Sequence, residues 1–199
     1  MTDGAKHIGI LLFPDVEELD AIGPWEVLSF WTRTWPDDGW RVYTFSQPGG
    51  EVLCAKGLKV RVDHSEADRP GLNVLIYPGG QGTRPQLKDE ARLEWVRSRR
   101  EDGTLMTSVC TGSLVYAAAG ILRDRPATTH WQSLDVLAEL DPTIDVRSEA
   151  RFVDSGDTIT SAGVSAGIDM ALHLVARIAG ADRAREVRRG IQYDPEPPV

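Results

Sequence analysis

Cys110 stands where an apolar segment, residues 104–109, gives way to the small residues Thr111-Gly112-Ser113. Such a junction reads as a strand passing into a helix, whose free N–H groups and positive dipole end favour thiolate over thiol. The expectation is a nucleophile with its pKa lowered from about 8.5 toward roughly 5 to 7. The competing reading is a small buried hydrophobe, as free cysteines often are. Asp20 follows the first apolar run closely enough to reach the same crevice. A carboxyl beside a thiolate has its own pKa raised and can donate a proton, a role for which Glu17 and Glu18 compete. Gly79 and Gly80 close another apolar run and offer unobstructed backbone N–H groups, as an anion-binding nest requires. The same pair also suits a plain turn. His130 could act as the base of a Cys/His pair or cap the helix that follows it. Cys54 lies in a hairpin pattern without polar partners and reads as inert, and His7, His64 and His173 show no ligand spacing.

The elements that must position these groups alternate. Apolar runs at residues 7–13 and 73–77 read as buried parallel strands, 41–45 and 104–109 as further strands, and 52–54 with 58–62 as a hairpin. Helical patterns cover residues 17–30 (with a kink or break at Gly23-Pro24), 84–100, 111–122, 131–140, 165–178 and 181–189. Short strands follow at 144–146, 151–153 and 158–160. The fold class is therefore α/β: a single domain, residues 1–199, with a mainly parallel sheet covered by helices on both faces. A short Pro-rich tail, residues 194–199, reads as an extended surface end. In such a sheet reactive groups gather beyond the carboxyl ends of the strands, where the segments carrying Asp20, Gly79-Gly80 and Cys110 all finish.

Composition narrows the function classes. With 41% hydrophobic and 26% charged residues the chain is ordinary for a globular protein, and its net charge of -8 argues against a nucleic-acid partner. Arg97, Arg99 and Arg100 sit among Glu94, Glu101 and Asp102, as on a solvated helix face. No apolar run is long enough for a membrane span and the N-terminus lacks a signal-peptide layout, so the expectation is cytoplasmic, without a membrane partner. Two cysteines and four histidines without ligand spacing predict no disulfide framework, metal or cofactor.

Six stretches together resemble the ThiJ/PfpI superfamily, which shares the flavodoxin-like fold of class I glutamine amidotransferases: LFPDVEELDAIGPW (12–25), YPGGQG (77–82), TSVCTGSL (107–114), ATTHW (127–131), TSAGVSAGIDM (160–170) and QYDPEPP (192–198). Among its members the likeness is greatest to those that hydrate isonitriles. The resemblance implies a small-molecule substrate, with Cys110 as nucleophile, Asp20 as its acid–base partner and Thr111 directly after the cysteine, where the peptidase-like branch has histidine. It also implies that Val164 packs near the nucleophile, and that members pair as homodimers. Gly79 and Gly80 are expected to stabilise developing charge, and Ile22, with Trp25, to line a dry pocket for an uncharged isonitrile. Two alternatives stay open: a glyoxalase or deglycase acting on 2-oxoaldehydes, and a redox or ligand sensor without turnover. Isonitrile-hydrating members continue into a C-terminal extension, and related domains form the sensing half of transcription regulators.

Overall fold

The computed structural model describes residues 4–195; of the Pro-rich tail, residues 196–199 lie outside the described residues. The strands are β1 (Lys6–Leu11), β2 (Trp40–Ser46), β3 (Glu51–Leu53), β4 (Lys59–Arg61), β5 (His64–Ser65), β6 (Val74–Tyr77), β7 (Leu105–Val109), β8 (Pro126–Ala127), β9 (Asp145–Val146), β10 (Phe152–Asp154) and β11 (Thr158–Ser161). The helices are α1 (Glu18–Thr34), α2 (Thr83–Gln86), α3 (Glu90–Glu101), α4 (Gly112–Ala118), α5 (Leu134–Leu140), α6 (Ala166–Ala179) and α7 (Ala181–Gly190). A seven-stranded sheet runs β10-β11-β7-β6-β1-β2-β5, parallel except where β10 pairs antiparallel with β11. Helices α1, α6 and α7 pack together on one face, and α3, α4 and α5 on the other. Both faces of strands such as β6, VLIY, are therefore buried, which is why these strands read as continuous apolar runs rather than alternating ones.

The topology dictates where the site lies. The chain leaves β1 toward β2 on one side and returns through β6 on the other, so the loops after β1 and β6 diverge and leave a crevice at their carboxyl ends. The adjacent order β11-β7-β6-β1 brings the segments after four strands to that edge. The β3–β4 hairpin docks there too: Asp15 N–H donates to Leu53 O at 3.1 Å and Ala55 N–H to Val16 O at 2.9 Å.

Several boundaries differ from the sequence expectation. Pro24 lies inside an unbroken α1, so Gly23-Pro24 is not a break. The pattern at 84–100 is two helices, because Asp89 adopts extended backbone and its Oδ1 accepts the Arg92 N–H at 3.2 Å, an N-cap that starts α3 afresh. The pattern at 111–122 ends at Ala118, with Gly120 at φ +76° beyond it. Residues 131–133 form a 3-10 turn before α5. The strand expected at 144–146 is β9, which pairs with the unforeseen β8 outside the main sheet, and β5 was likewise too short to leave a periodic signal.

Candidate active site

Cys110 sits on a sharp elbow between β7 and α4 with φ +56°, a left-handed conformation that costs a non-glycine residue about 1–2 kcal/mol. The surroundings hold it there from both ends. Its N–H donates to Ser161 O and Ala162 O, each at 3.1 Å, and its carbonyl accepts the hydroxyls of Thr129 at 2.9 Å and Ser113 at 3.0 Å. Gly112 lets the elbow close, since a Cβ there would come within 2.2 Å of the Tyr77 carbonyl. Val164, after β11, is also left-handed at φ +49°, an unfavourable state for a β-branched residue. The N–H groups of Thr111 and Val164 donate toward the Cys110 sulfur.

Asp20, fully buried in the first turns of α1, interacts directly with the Cys110 thiol. Its Oδ2 accepts the Gly79 N–H at 2.9 Å, while Oδ1 is buried without a fixed hydrogen bond. Gly80 N–H donates to Thr111 Oγ1 at 2.9 Å, and the Thr83 hydroxyl lies 3.2 Å from the same oxygen. Side chains would break this lattice: a Cβ on Gly79 would meet Thr111 N at 2.5 Å and Asp20 Oδ2 at 2.9 Å, and one on Gly80, at φ +115°, Asp15 O at 2.4 Å. The two glycine N–H groups, expected to face developing charge on a substrate, thus instead orient the carboxyl and the threonine.

The thiol pKa departs from expectation in sign. Burial, then the neighbouring Asp20 charge, push Cys110 up to about 12, outweighing the Thr111 and Val164 N–H groups. The helix end alone would lower the thiol, but desolvation outweighs it. Burial likewise pushes Asp20 up to about 7, with Glu17 adding to the rise and the Gly79 N–H opposing it. Near neutrality the pair is a protonated thiol beside a carboxyl poised to take its proton. The thiol of Cys54 is also raised, by burial and by Glu18 and Glu17.

A cavity of about 250 Å³ opens over Cys110, Thr111 and Gly80. Its surface is about half polar and half apolar; Glu17, Gln81, Arg84, His130, Gln132 and Ser133 line it beside the apolar Ala55 and Val164. Ile22 is half-buried and does not line it, and Trp25 faces a separate cavity with Trp40 and Tyr43. The dry pocket expected from Ile22 and Trp25 is corrected accordingly: both follow Asp20 along α1, and neither lines this cavity. His130 meets the cavity, but its Nδ1 accepts the Gln132 N–H at 3.3 Å, so it caps the 3-10 turn. Its ring lies against Gly163, where a Cβ would come within 2.2 Å of Cδ2. Arg84, at the start of a segment that reads as an amphipathic helix, and the supporting residues Ser113 and Thr129 carry no sequence signal for these roles, although Ser113 and Thr129 lie in the motifs above.

The chain is 40% identical over 194 residues to the isonitrile hydratase of Pseudomonas putida, covering 98% of this chain and 81% of that protein. It is 34% identical over 151 residues to the HTH-type transcriptional regulator CdhR of Pseudomonas aeruginosa, covering 75% of this chain and 44% of that one, so it spans less than half of the regulator. The crystal structure of a ThiJ/PfpI family protein from Pseudomonas syringae superposes with a TM-score of 0.86 at 32% identity, over 98% of this chain and 78% of that chain. The DJ-1/PfpI family pattern matches residues 6–177, and the chain belongs to that family.

Proposed function

We propose that the protein hydrates an isonitrile, R–N≡C, to the N-substituted formamide, with Cys110 as nucleophile and Asp20 as the group that moves protons. The observation that carries this reading is the buried Cys110–Asp20 pair, in a chain similar along nearly its whole length to an isonitrile hydratase. The match to the regulator is lower in identity and covers less of this chain, which favours turnover over sensing.

In this mechanism the Cys110 sulfur bonds to the terminal isonitrile carbon as Asp20 takes the thiol proton. Asp20 returns that proton to the same carbon, leaving a thioformimidate, R–N=CH–S–Cys110. Water then adds to this carbon, giving one proton through Asp20 to the nitrogen. The resulting R–NH–CH(OH)–S–Cys110 collapses: its C–S bond breaks, the hydroxyl proton passes to the sulfur, and R–NH–CHO leaves. One water is consumed and the thiol is restored. Thr111 serves as a positioning residue, tying the elbow to Gly80. Reaction in ¹⁸O-water should place one ¹⁸O in the formamide, read by mass spectrometry; formamide without label would contradict the scheme.

We also read the protein as a cytoplasmic homodimer that takes a small-molecule substrate. Among the described residues no helix is long and apolar enough to cross a membrane. Leu19, 37% exposed on α1, and Leu53 and Leu58, 52% and 47% exposed on the adjacent hairpin, offer an apolar surface beside the cavity for a second copy.

A further inference from the structure

We infer that Arg84 forms an anion subsite at the mouth of the Cys110 cavity, so that the preferred isonitrile carries a carboxylate close to its isocyano group; the substrate class, though not the subsite, rests on the hydratase reading. Most arginines of this acidic chain are ion-paired, as Arg92 is to Glu66 and Arg151 to Asp169. Arg84 differs. Its one hydrogen-bond partner among the described residues is a neutral hydroxyl, Ser133 Oγ at 3.5 Å, and no described carboxylate is ion-paired with it. The guanidinium is always charged and presents a planar fork of donors suited to a carboxylate.

The rest of the wall agrees. His130 uses Nδ1 to accept the Gln132 N–H, so the neutral ring carries its hydrogen on Nε2 as a further donor. Glu17, the carboxylate on the wall, is ion-paired with Lys56. The cavity, about 250 Å³, lies below the usual range for drug-sized ligands, and about half of its surface is polar. A short substrate with an acceptor at the end remote from the reacting carbon fits this surface better than a bulky hydrocarbon.

The subsite can be read without isonitrile chemistry, from the rates at which iodoacetate and iodoacetamide alkylate Cys110. The expected result is an iodoacetate-to-iodoacetamide ratio that falls about fivefold in Arg84→Gln, the effect of about 1 kcal/mol, and is largely kept in Arg84→Lys. The exposed Arg185→Gln, which changes net charge equally, should leave the ratio alone. A ratio unchanged in Arg84→Gln overturns the subsite. Salt supplies a check on wild type alone: attraction by Arg84 makes iodoacetate slower at about 0.5 M salt, whereas repulsion by the net charge of -8 would make it faster and count against the subsite. For the substrate, kcat/KM for isocyanoacetate should exceed that for its methyl ester, and Arg84→Gln should shrink the quotient about fivefold. Equal hydration of acid and ester in both proteins overturns the substrate preference while sparing the hydratase reading. Hydration of neither, with the alkylation ratio as expected, overturns the substrate preference and supports the subsite, while the hydratase reading stands or falls on other isonitriles.

Discussion

Burial, and then the neighbouring carboxyl of Asp20, hold the Cys110 thiol in its protonated form, and the Gly79 amide fixes that carboxyl through a 2.9 Å hydrogen bond to Oδ2. A thiol raised to about 12 is nearly all protonated at neutral pH, so its reactivity depends on the neighbour that removes the proton. Alkylation of Cys110 should therefore rise with the ionisation of Asp20, at a midpoint of about 7. Asp20→Asn should lose that inflection and label at least about tenfold more slowly at neutral pH. Cys54, buried and without such a base, should label slowly in both proteins. Mass-spectrometric rates at each cysteine across pH check this, and an Asn variant that keeps the inflection would remove Asp20 from the role.

The same carboxyl opposes stability when ionised. Its pKa rises from an ordinary 3.8 to about 7 on folding, so the stability tied to its proton is full below 3.8 and is lost as pH rises through 7. The loss amounts to at most about 4 kcal/mol. Asp20→Asn keeps an acceptor for the Gly79 N–H and removes the charge, so it should melt above wild type at about pH 8, with the gap closing toward about pH 4. Calorimetry at both pH values measures it; an Asn variant less stable than wild type at the higher pH would contradict the assignment.

Gly79→Ala tests the lattice that aims the pair. The new methyl would lie 2.5 Å from Thr111 N and 2.9 Å from Asp20 Oδ2, so backbone must shift and carry both groups with it. Activity should fall by about a hundredfold or more, with a stability loss of only about 1–3 kcal/mol. Thermal melts beside steady-state rates separate the two, and a folded variant with full activity would show that the close approach is dispensable.

Light scattering at tens of micromolar should give a dimer mass, and Leu58→Asp should shift it toward monomer by placing a charge in the exposed apolar surface. A wild-type monomer would count against pairing.

Much of this was legible in the sequence, for a physical reason: buried parallel strands must be apolar throughout, and their carboxyl ends are where an α/β sheet exposes chemistry. The turns at Asp20, Gly79-Gly80 and Cys110 were visible as breaks in such runs. What they do to one another was not. Desolvation of Cys110 depends on atoms from β11, α1 and the loop after β6, none adjacent to it in sequence, so a local argument from the helix end gave the wrong sign. Gly79 and Gly80 read as unobstructed N–H donors, but only the register of β6 against β1 and β7 reveals that those groups go to Asp20 and Thr111. Arg84 was hidden because residues 84–100 look like one amphipathic helix until Asp89 divides them.

The most direct test of the account is isonitrile turnover by wild type beside Cys110→Ala. Loss of isonitrile and appearance of the formamide, followed by mass spectrometry over a small panel that includes isocyanoacetate and its methyl ester, reads the reaction itself. The account predicts multiple turnovers by wild type and a rate at least about a hundredfold lower in a folded Cys110→Ala variant. A wild-type rate no higher than that of Cys110→Ala across the whole panel would contradict it.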